Sequence, residues 1–519
     1  TLMTLKTTIN EGLRYKIGDL LFSGNYVFTS KQLHKALAIK EGDIYNENKF
    51  MITMQSIQEK YSERGYIRLM IDPVFEYDED RGLANLEFKI TENGIVYIDR
   101  IHIEGNNVTR DYVIRKQLLI NEGSPFNVKK IRRTQEKIYN LGFFSDVRLD
   151  VEQATDNTAD LVFVVEEQKT GLASVGAGYS SQDGMLGTIQ ISQTNLFGRA
   201  QRLNFLWEFG ERRQNYQIGF AEPYLFGSDT SFGIDLFNMI RDREYVYRDF
   251  NDRTKSDWYK EENKGVILKF GRTLSDYYKI KFSFGHEEVE VYDVNDDTSP
   301  EHIELIEQED RGIHEVNSVT TTLIRDTRDN VFDPSRGSIS ALSLKLAGTV
   351  IAGDSDFGKF TASHSWFLPT FWKFVLGFNV KAGGARHFNP SESVPIYERF
   401  YVGGAESVRG YDYRGDIGPG SGGNYMLVYN VEYKFPIVSE RGRTILQGAF
   451  FCDVGGMWDD QDQIRLDIGR GVYDMRSGVG FGIRFKTPVF PIRLDWGYGL
   501  NQREGKIPAQ FYFTIGQIF

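Results

Sequence analysis

The 519-residue chain holds one cysteine, Cys452, which excludes an intrachain disulfide and a thiolate-based zinc site. Its seven histidines are scattered, with no pair at the spacing a helix-borne metal site requires. Basic residues are outnumbered, 61 Lys and Arg against 72 Asp and Glu, and the net charge of -11 argues against nucleic acid as a partner. No apolar run approaches the roughly 18 residues of a membrane helix. That absence does not exclude the membrane, because a barrel strand needs only about ten residues of alternating polarity. There is no glycine-rich phosphate loop, no G-x-S-x-G elbow and no His–acid–nucleophile set. The sequence therefore offers no catalytic residue and no cofactor site, and points away from an enzyme. Asp293, Asn295, Asp297 and Glu304 approach the spacing of a calcium loop, but Thr298 replaces the required glycine and Pro300 interrupts it.

Glycine and aromatic residues divide the chain. The first 169 residues hold 10 glycines and 18 aromatics; the remaining 350 hold 42 and 54. A long segment rich in both, without helical periodicity, predicts an all-β domain from about residue 170. Cys452 falls in one of its strands and reads as a small apolar residue rather than a reactive thiol.

The first part is an internal repeat. Ile9–Asn25 (INEGLRYKIGDLLFSGN) aligns with Ile90–Asn106 (ITENGIVYIDRIHIEGN) at an offset of 81 residues, matching Gly24-Asn25 with Gly105-Asn106. The register continues through EGDIYN at 41–46 against EGSPFN at 122–127, then shifts to match Gly65 with Gly142. Each unit reads strand, helix, helix, strand, strand, the second helix ending at the glycine. These units resemble POTRA domains, the periplasmic modules of outer-membrane assembly and secretion proteins. The expected division is 15–93 and 94–169 for two POTRA domains and 170–519 for the barrel. Thr1–Glu11 matches the segment that closes a unit, so 1–14 is expected to be the end of a preceding repeat in a longer secreted precursor. A sheet edge in such a unit can accept an extended peptide as an added strand.

The second part counts to sixteen strands by period-2 alternation between turn signals: 172–180, 186–194, 201–209, 214–221, 230–238, 265–272, 277–284, 318–325, 338–347, 358–367, 373–381, 425–434, 445–453, 477–485, 491–499 and 510–519. Connections after odd-numbered strands are often long (239–264, 285–317, 382–424, 454–476), and those after even-numbered ones mostly short. A closed up-and-down barrel with one long-loop rim predicts that alternation; a sandwich does not. The expected fold is thus α+β POTRA repeats followed by an all-β, 16-stranded antiparallel transmembrane β-barrel.

Several segments resemble the BamA family of outer-membrane protein assembly factors. Val408-Arg409-Gly410-Tyr411 is similar to the family's VRG[FY] motif on its sixth extracellular loop, which folds back into the lumen. Phe451, Asp453 and Gly455 match F-x-D-x-G, the motif on the wall that faces that loop. Asp326–Asn330 with Phe332–Gly337, Asn195–Gly198 and Glu222–Leu225 are similar to family turns. The C-terminus, with Phe511, Phe513, Gly516 and Phe519, resembles a β-signal. The resemblance implies an Arg409–Asp453 pair pinning the loop, and a lateral gate between the last strand and a first strand containing Gly176, Gly178 and Tyr179. It implies a bacterial outer-membrane location with the POTRA domains in the periplasm. The implied partners are unfolded outer-membrane protein substrates, outer-membrane lipids and accessory periplasmic lipoproteins. A two-partner-secretion type or TamA-like polypeptide translocation pore shares these motifs and is the alternative.

Overall fold

A computed structural model describes residues 14–519 except 156, 181–183, 249–253, 296–302, 304–305, 307–311, 331–332, 349–350, 389–390, 392, 414–415, 441–442, 486–491, 504–507 and 516–519. The chain forms two compact units, Thr1–Thr170 with Phe197–Ala200, and Gly171–Leu196 with Gln201–Phe519.

The first unit holds the repeat twice. Its first copy runs β1 (Lys16–Ser23), α1 (Ser30–His34), α2 (Glu47–Ser62), β2 (Met70–Asp78) and β3 (Leu83–Thr91). The second runs β4 (Tyr97–Glu104), α3 (Asp111–Arg115), α4 (Val128–Tyr139), β5 (Phe144–Thr155) and β6 (Thr158–Glu167). The sheets are ordered β1-β3-β2 and β4-β6-β5, each with one parallel and one antiparallel pair.

The repeated residues are the ones the backbone needs. Asn46 and Asn127, closing the EG-x-x-x-N stretches, cap α2 and α4 by accepting from the N–H groups of Lys49 (3.1 Å) and Lys130 (2.9 Å). Gly24 and Gly105 adopt φ of 77° and 88°, and a Cβ on either would lie 2.1 or 2.0 Å from the carbonyl oxygen of Ile90 or Val165. A carboxylate at the end of the third strand holds the same turn in both copies. Glu92 accepts from the Val27 N–H and the Tyr61 hydroxyl, each at 2.8 Å. Glu167 accepts from the N–H groups of Asn107 (3.1 Å), Val108 (2.9 Å) and Thr109 (2.6 Å). Leu33, Ile57, Tyr61 and Phe88 bury the helix–sheet face of the first copy.

The second unit is a closed antiparallel barrel of sixteen strands. Its first eight are β7 (Gly171–Ser180), β8 (Gly184–Leu196), β9 (Gln201–Gly210), β10 (Arg213–Glu222), β11 (Thr230–Arg248), β12 (Thr254–Thr273), β13 (Tyr278–Tyr292) and β14 (Gly312–Asp326). The rest are β15 (Gly337–Ala347), β16 (Phe357–Pro369), β17 (Val375–His387), β18 (Tyr425–Glu440), β19 (Arg443–Trp458), β20 (Arg476–Phe485), β21 (Ile492–Gly499) and β22 (Ala509–Ile515). Outward positions such as Val175, Phe282, Phe284, Leu342, Leu344 and Leu346 are exposed. An exposed apolar belt of that extent marks a surface made for lipid rather than water. Among the described residues, no helix is long and apolar enough to cross a membrane.

The long connections are shorter than the sequence predicts. Most of 239–264 is strand, because β11 and β12 run for 19 and 20 residues and pair to their ends, and 285–317 shrinks likewise as β13 reaches Tyr292 and β14 starts at Gly312. β11 and β12 are roughly twice the 9–11 residues that span a bilayer. Their outer parts meet water on the outside, so the apolar alternation ends while the ladder continues. A polar pair replaces it on the outer face, Lys264 with Glu288 (2.9 Å), while Arg243 with Glu261 (2.8 Å) and Asn263 with Glu287 (3.0 Å) pair on the inner one. Asp293, first residue of the calcium-like stretch, accepts from Lys260 at 2.9 Å, while Asp297, Thr298, Pro300 and Glu304 lie outside the described residues.

Burial acts to raise the Glu167 carboxyl, but the three N–H donors outweigh it and hold its pKa below the usual carboxylate value. A lowered folded-state pKa gives stability that is present above the unfolded value and lost as pH falls through the folded one. Glu167→Gln should therefore cost the second repeat about 1–2 kcal/mol at neutral pH. Hydrogen exchange at the Asn107–Thr109 amides should show the loss, and the gap from wild type should close below about pH 4.

Candidate functional site: a loop seated in the barrel lumen

The connection between β17 and β18 packs back inside the barrel. Its Val394, Ile396, Val402, Val408, Tyr411 and Ile417 are each at most 1% exposed, as in a folded core. The segment is internally braced: Phe400 and Gly423 exchange backbone hydrogen bonds of 2.8 and 2.9 Å, and Gly404 donates to the Tyr411 carbonyl at 2.9 Å. Ser407 Oγ ties the intervening turn to both the N–H and the carbonyl of Gly403.

Arg409 is the centre of the seat. Its Nε and Nη2 donate to the two oxygens of Asp453 at 2.7 and 2.8 Å, the bidentate geometry that a guanidinium and a carboxylate share. Its Nη1 reaches Glu432 of β18 at 2.8 Å and Asp495 of β21 at 3.1 Å. Asp453 also accepts from the Arg409 backbone N–H (3.1 Å) and from Asn430 (2.8 Å). Around this core, Arg484 donates to Glu432 at 2.8 Å, and Arg493 bonds Asp495 at 2.8 Å and Glu406 at 3.0 Å. Three guanidiniums thus meet four carboxylates. Arg409 is 2% exposed, Asp453 and Asp495 0%. Burial opposes the charge on Arg409, but Asp453 foremost, then Glu432 and Asp495, raise its pKa above the ordinary value.

Each residue of F-x-D-x-G touches the loop. The Phe451 ring lies 3.4 Å below the Arg409 guanidinium carbon, a cation–π contact, and Asp453 chelates the side chain. Gly455 leaves room for Val408, since a Cβ there would sit 2.7 Å from Val408 Cγ2. Gln447, Ala449, Phe451 and Asp453 are buried on the inner face, whereas Phe450 and Cys452 between them are exposed on the outer one.

The loop backbone lies against the wall at β20–β22. Gly410 has φ of 96°, and a Cβ on Gly478 would fall 1.9 Å from the Arg409 carbonyl oxygen. A Cβ on Gly497 would fall 2.6 Å from the Gly410 nitrogen, and one on Gly499 2.8 Å from its carbonyl oxygen. The Gly410 N–H donates to the Tyr512 hydroxyl (3.0 Å), which donates to the Tyr411 carbonyl (2.8 Å). Gln502 Nε2 donates to the Gly410 carbonyl at 2.8 Å, and the Tyr411 hydroxyl donates to the Ser477 carbonyl at 2.9 Å. On the other side of the lumen, Glu398 accepts from Lys345 of β15 (2.7 Å) and Lys359 of β16 (3.0 Å). Burial raises the Glu398 carboxyl, yet the two lysines hold it below the usual range.

The other positions singled out in the sequence lie at the closing seam. Gly176, Gly178 and Tyr179 are in β7, and Phe511 and Phe513 in β22, with Phe511 58% exposed. Gly516 and Phe519 lie outside the described residues. Between β7 and β22 the described residues carry one ladder pair, Ser180 with Thr514.

A sixteen-stranded barrel with a loop clamped in its lumen and two α+β repeats ahead of it defines a class of outer-membrane barrel proteins. A model of the Omp85 superfamily domain matches residues 195–519, and a POTRA model, described as surface antigen variable number repeat, matches 15–93 and 96–168. The chain belongs to the Omp85 superfamily. It is 29% identical, over 98% of its length, to outer membrane protein assembly factor BamA of Nitratidesulfovibrio vulgaris, and spans 63% of that relative. It is 25% identical, over its full length, to the BamA of Neisseria meningitidis serogroup B, and spans 69% of it. In fold it is similar to BamA from Haemophilus ducreyi lacking POTRA domains 1–3 (TM-score 0.69, 20% identity, 96% of this chain and 99% of that one). It is also similar in fold to CdiB from Escherichia coli (TM-score 0.58, 15% identity, 99% and 92%).

Glu432, Arg484, Arg493, Asp495, Glu398 and Tyr512 escaped the sequence reading of the site. One signal was available: Gly478-Val-Gly480-Phe-Gly482 and Gly497-Tyr-Gly499 put glycines at every second position, so one strand face has no side chains and can receive another backbone. Arg409→Ala should strand the buried carboxylates and destabilise the barrel by about 3–5 kcal/mol. Gly478→Ala should unseat the loop while leaving every charge in place. For both variants the folded, fast-migrating form in detergent electrophoresis should be lost at a lower temperature than in wild type.

Proposed function

We propose that the chain is the barrel subunit of an outer membrane protein assembly factor, a non-enzymatic machine that folds and inserts β-barrel proteins through a lateral gate between β7 and β22. In this reading residues 15–93 and 94–169 are periplasmic POTRA domains that receive unfolded outer-membrane proteins, and accessory lipoproteins bind there. Residues 170–519 form the barrel. The observation that carries the reading is the lumen loop clamped by Arg409 to Glu432, Asp453 and Asp495, in a barrel whose first and last strands, β7 and β22, meet at Ser180 and Thr514. A strand entering hydrocarbon with one edge unpaired leaves polar groups unsatisfied at several kcal/mol each. A strand edge that can be uncovered offers a template that lowers this barrier, by the same ladder geometry that holds the barrel together. The glycines at 176 and 178 weaken packing along that strand. The names borne by the relatives agree with an assembly role.

A polypeptide pore of the two-partner-secretion or TamA-like kind is the second reading, favoured by the fold likeness to CdiB. One experiment separates them. In a Cys452→Ser background, Ser180→Cys and Thr514→Cys place a disulfide across the seam at antiparallel-pair distance. Oxidation should block insertion of an unfolded barrel protein into vesicles, and reduction should restore it. Unimpaired insertion in the oxidised form would overturn the gate. Continued export through the lumen of the locked barrel would establish the pore instead.

A further inference from the structure

The loop seat does not end at the charged cluster. Arg409 bonds side chains of β18, β19 and β21, the glycine of β20 at 478 accommodates its carbonyl, and Tyr512 of β22 grips the next two residues. The seat therefore runs across five consecutive strands and stops at the one that closes the barrel.

Tyr512 is suited to join the two. It is 6% exposed, and its hydroxyl both accepts from the Gly410 N–H and donates to the Tyr411 carbonyl, so a single group satisfies two backbone atoms of the loop. Those atoms cannot drift independently of Arg409, because Gly410 follows it directly and the segment is braced by the Phe400–Gly423 and Gly404–Tyr411 hydrogen bonds. Nor can Tyr512 turn away while β22 stays paired with β21, since Tyr512 stands opposite Asp495 in that ladder, beside the carboxylate that Arg409 and Arg493 share. Displacing β22 thus breaks both hydroxyl bonds, leaving a buried N–H and a buried carbonyl without those partners. Unseating the loop removes the same two bonds from β22, the strand that closes the barrel against β7.

We propose that Tyr512 is a positioning residue that couples the lumen loop to the closing strand, so that a seated loop favours a closed seam and an opened seam favours a released loop. The coupling deepens the gate reading and rests on it for its purpose, but it is testable without any client protein. Coupling between two sites must be reciprocal in free energy, and it is that reciprocity which distinguishes a latch from a residue that merely fills space.

The buried Arg409–Gly410 bond supplies the reporter, because trypsin can cut it only when the loop leaves its seat. In full-length protein carrying Cys452→Ser, Tyr512→Phe keeps the ring and removes the hydroxyl. Cleavage after Arg409, followed by mass spectrometry on barrels that retain heat-modifiable migration, should rise about tenfold over wild type. Locking the seam through Ser180→Cys and Thr514→Cys should slow that cleavage about fivefold when Tyr512 is present, and should have no effect on the phenylalanine variant. Tyr512→Gln, whose amide can both donate and accept, should recover part of the response to the lock. Should the phenylalanine variant not fold, the glutamine variant decides the matter alone: a retained response supports the latch and a lost one overturns it. The proposal fails if Tyr512→Phe resists trypsin as wild type does, or if the lock protects Arg409 equally in both. Neither result depends on whether the locked barrel inserts clients, so failure of the latch and failure of the gate remain distinguishable.

Discussion

Backbone N–H and C=O groups cannot go unpaired in hydrocarbon, and nearly everything about the second unit follows from that constraint. It requires the sixteen strands to close on themselves, which makes the last seam the place where the first and last strands must find each other across the whole length of the domain. Every other seam is a hairpin between sequence neighbours and pairs along most of its length, whereas this one pairs residues more than 330 positions apart. A loop that reaches across the last five strands from inside adds attachments beside that seam. The lumen loop and the seam are in this sense parts of one closure problem.

The chemistry of the seat suits a loop that is held and can also be released. A buried ion pair returns little net stability, because desolvating each charge costs about as much as the pairing gives back. What the Arg409 cluster supplies instead is register: a planar fork fits Asp453 in one orientation, with Phe451 beneath it and Glu432 and Asp495 at its end. Adhesion comes from the apolar residues on either side, Val402, Val408, Tyr411 and Ile417 against Val428 and Met457. Glu398, gripped by Lys345 and Lys359 across the lumen, gives the loop a second fixed point of opposite sign, so a rigid segment is oriented from both ends.

Much of this was legible in the sequence, and the limits have physical causes. The sixteen strands stood out where one face meets lipid, as at Tyr278–Phe284, because only there does the environment alternate with the backbone period. Where β11 and β12 run beyond the apolar belt the outward face is no longer apolar, alternation disappears, and Arg241–Arg243 reads as loop although it continues the ladder opposite Tyr259–Glu261. In the repeats the conserved spacing of Gly24 and Gly105, and of Asn46 and Asn127, corresponds to fixed backbone needs, a left-handed turn and a helix cap, and such needs leave a signature in any single sequence. Arg409 and Asp453 were found through family motifs. Glu432, Arg493 and Asp495 were not, since a lumen charge looks like any polar position until the barrel's register places it opposite another.

That register also explains why Tyr512 is informative. Flanked by Phe511 and Phe513, it reads as one more aromatic in a terminal strand, and period-2 alternation turns it inward while its neighbours point out. An inward tyrosine in a wide lumen would ordinarily meet water. Here it meets two backbone groups of a loop about a hundred residues earlier in the chain, at a strand face cleared of side chains by Gly478, Gly497 and Gly499. A glycine face costs strand stability. Its presence beside the closing strand makes sense only if something must lie flat against it, and the backbone at Arg409–Gly410 is what lies there. The same glycines that weaken β20 and β21 as a wall therefore make them a socket, and they leave the last strand dependent on what the socket holds.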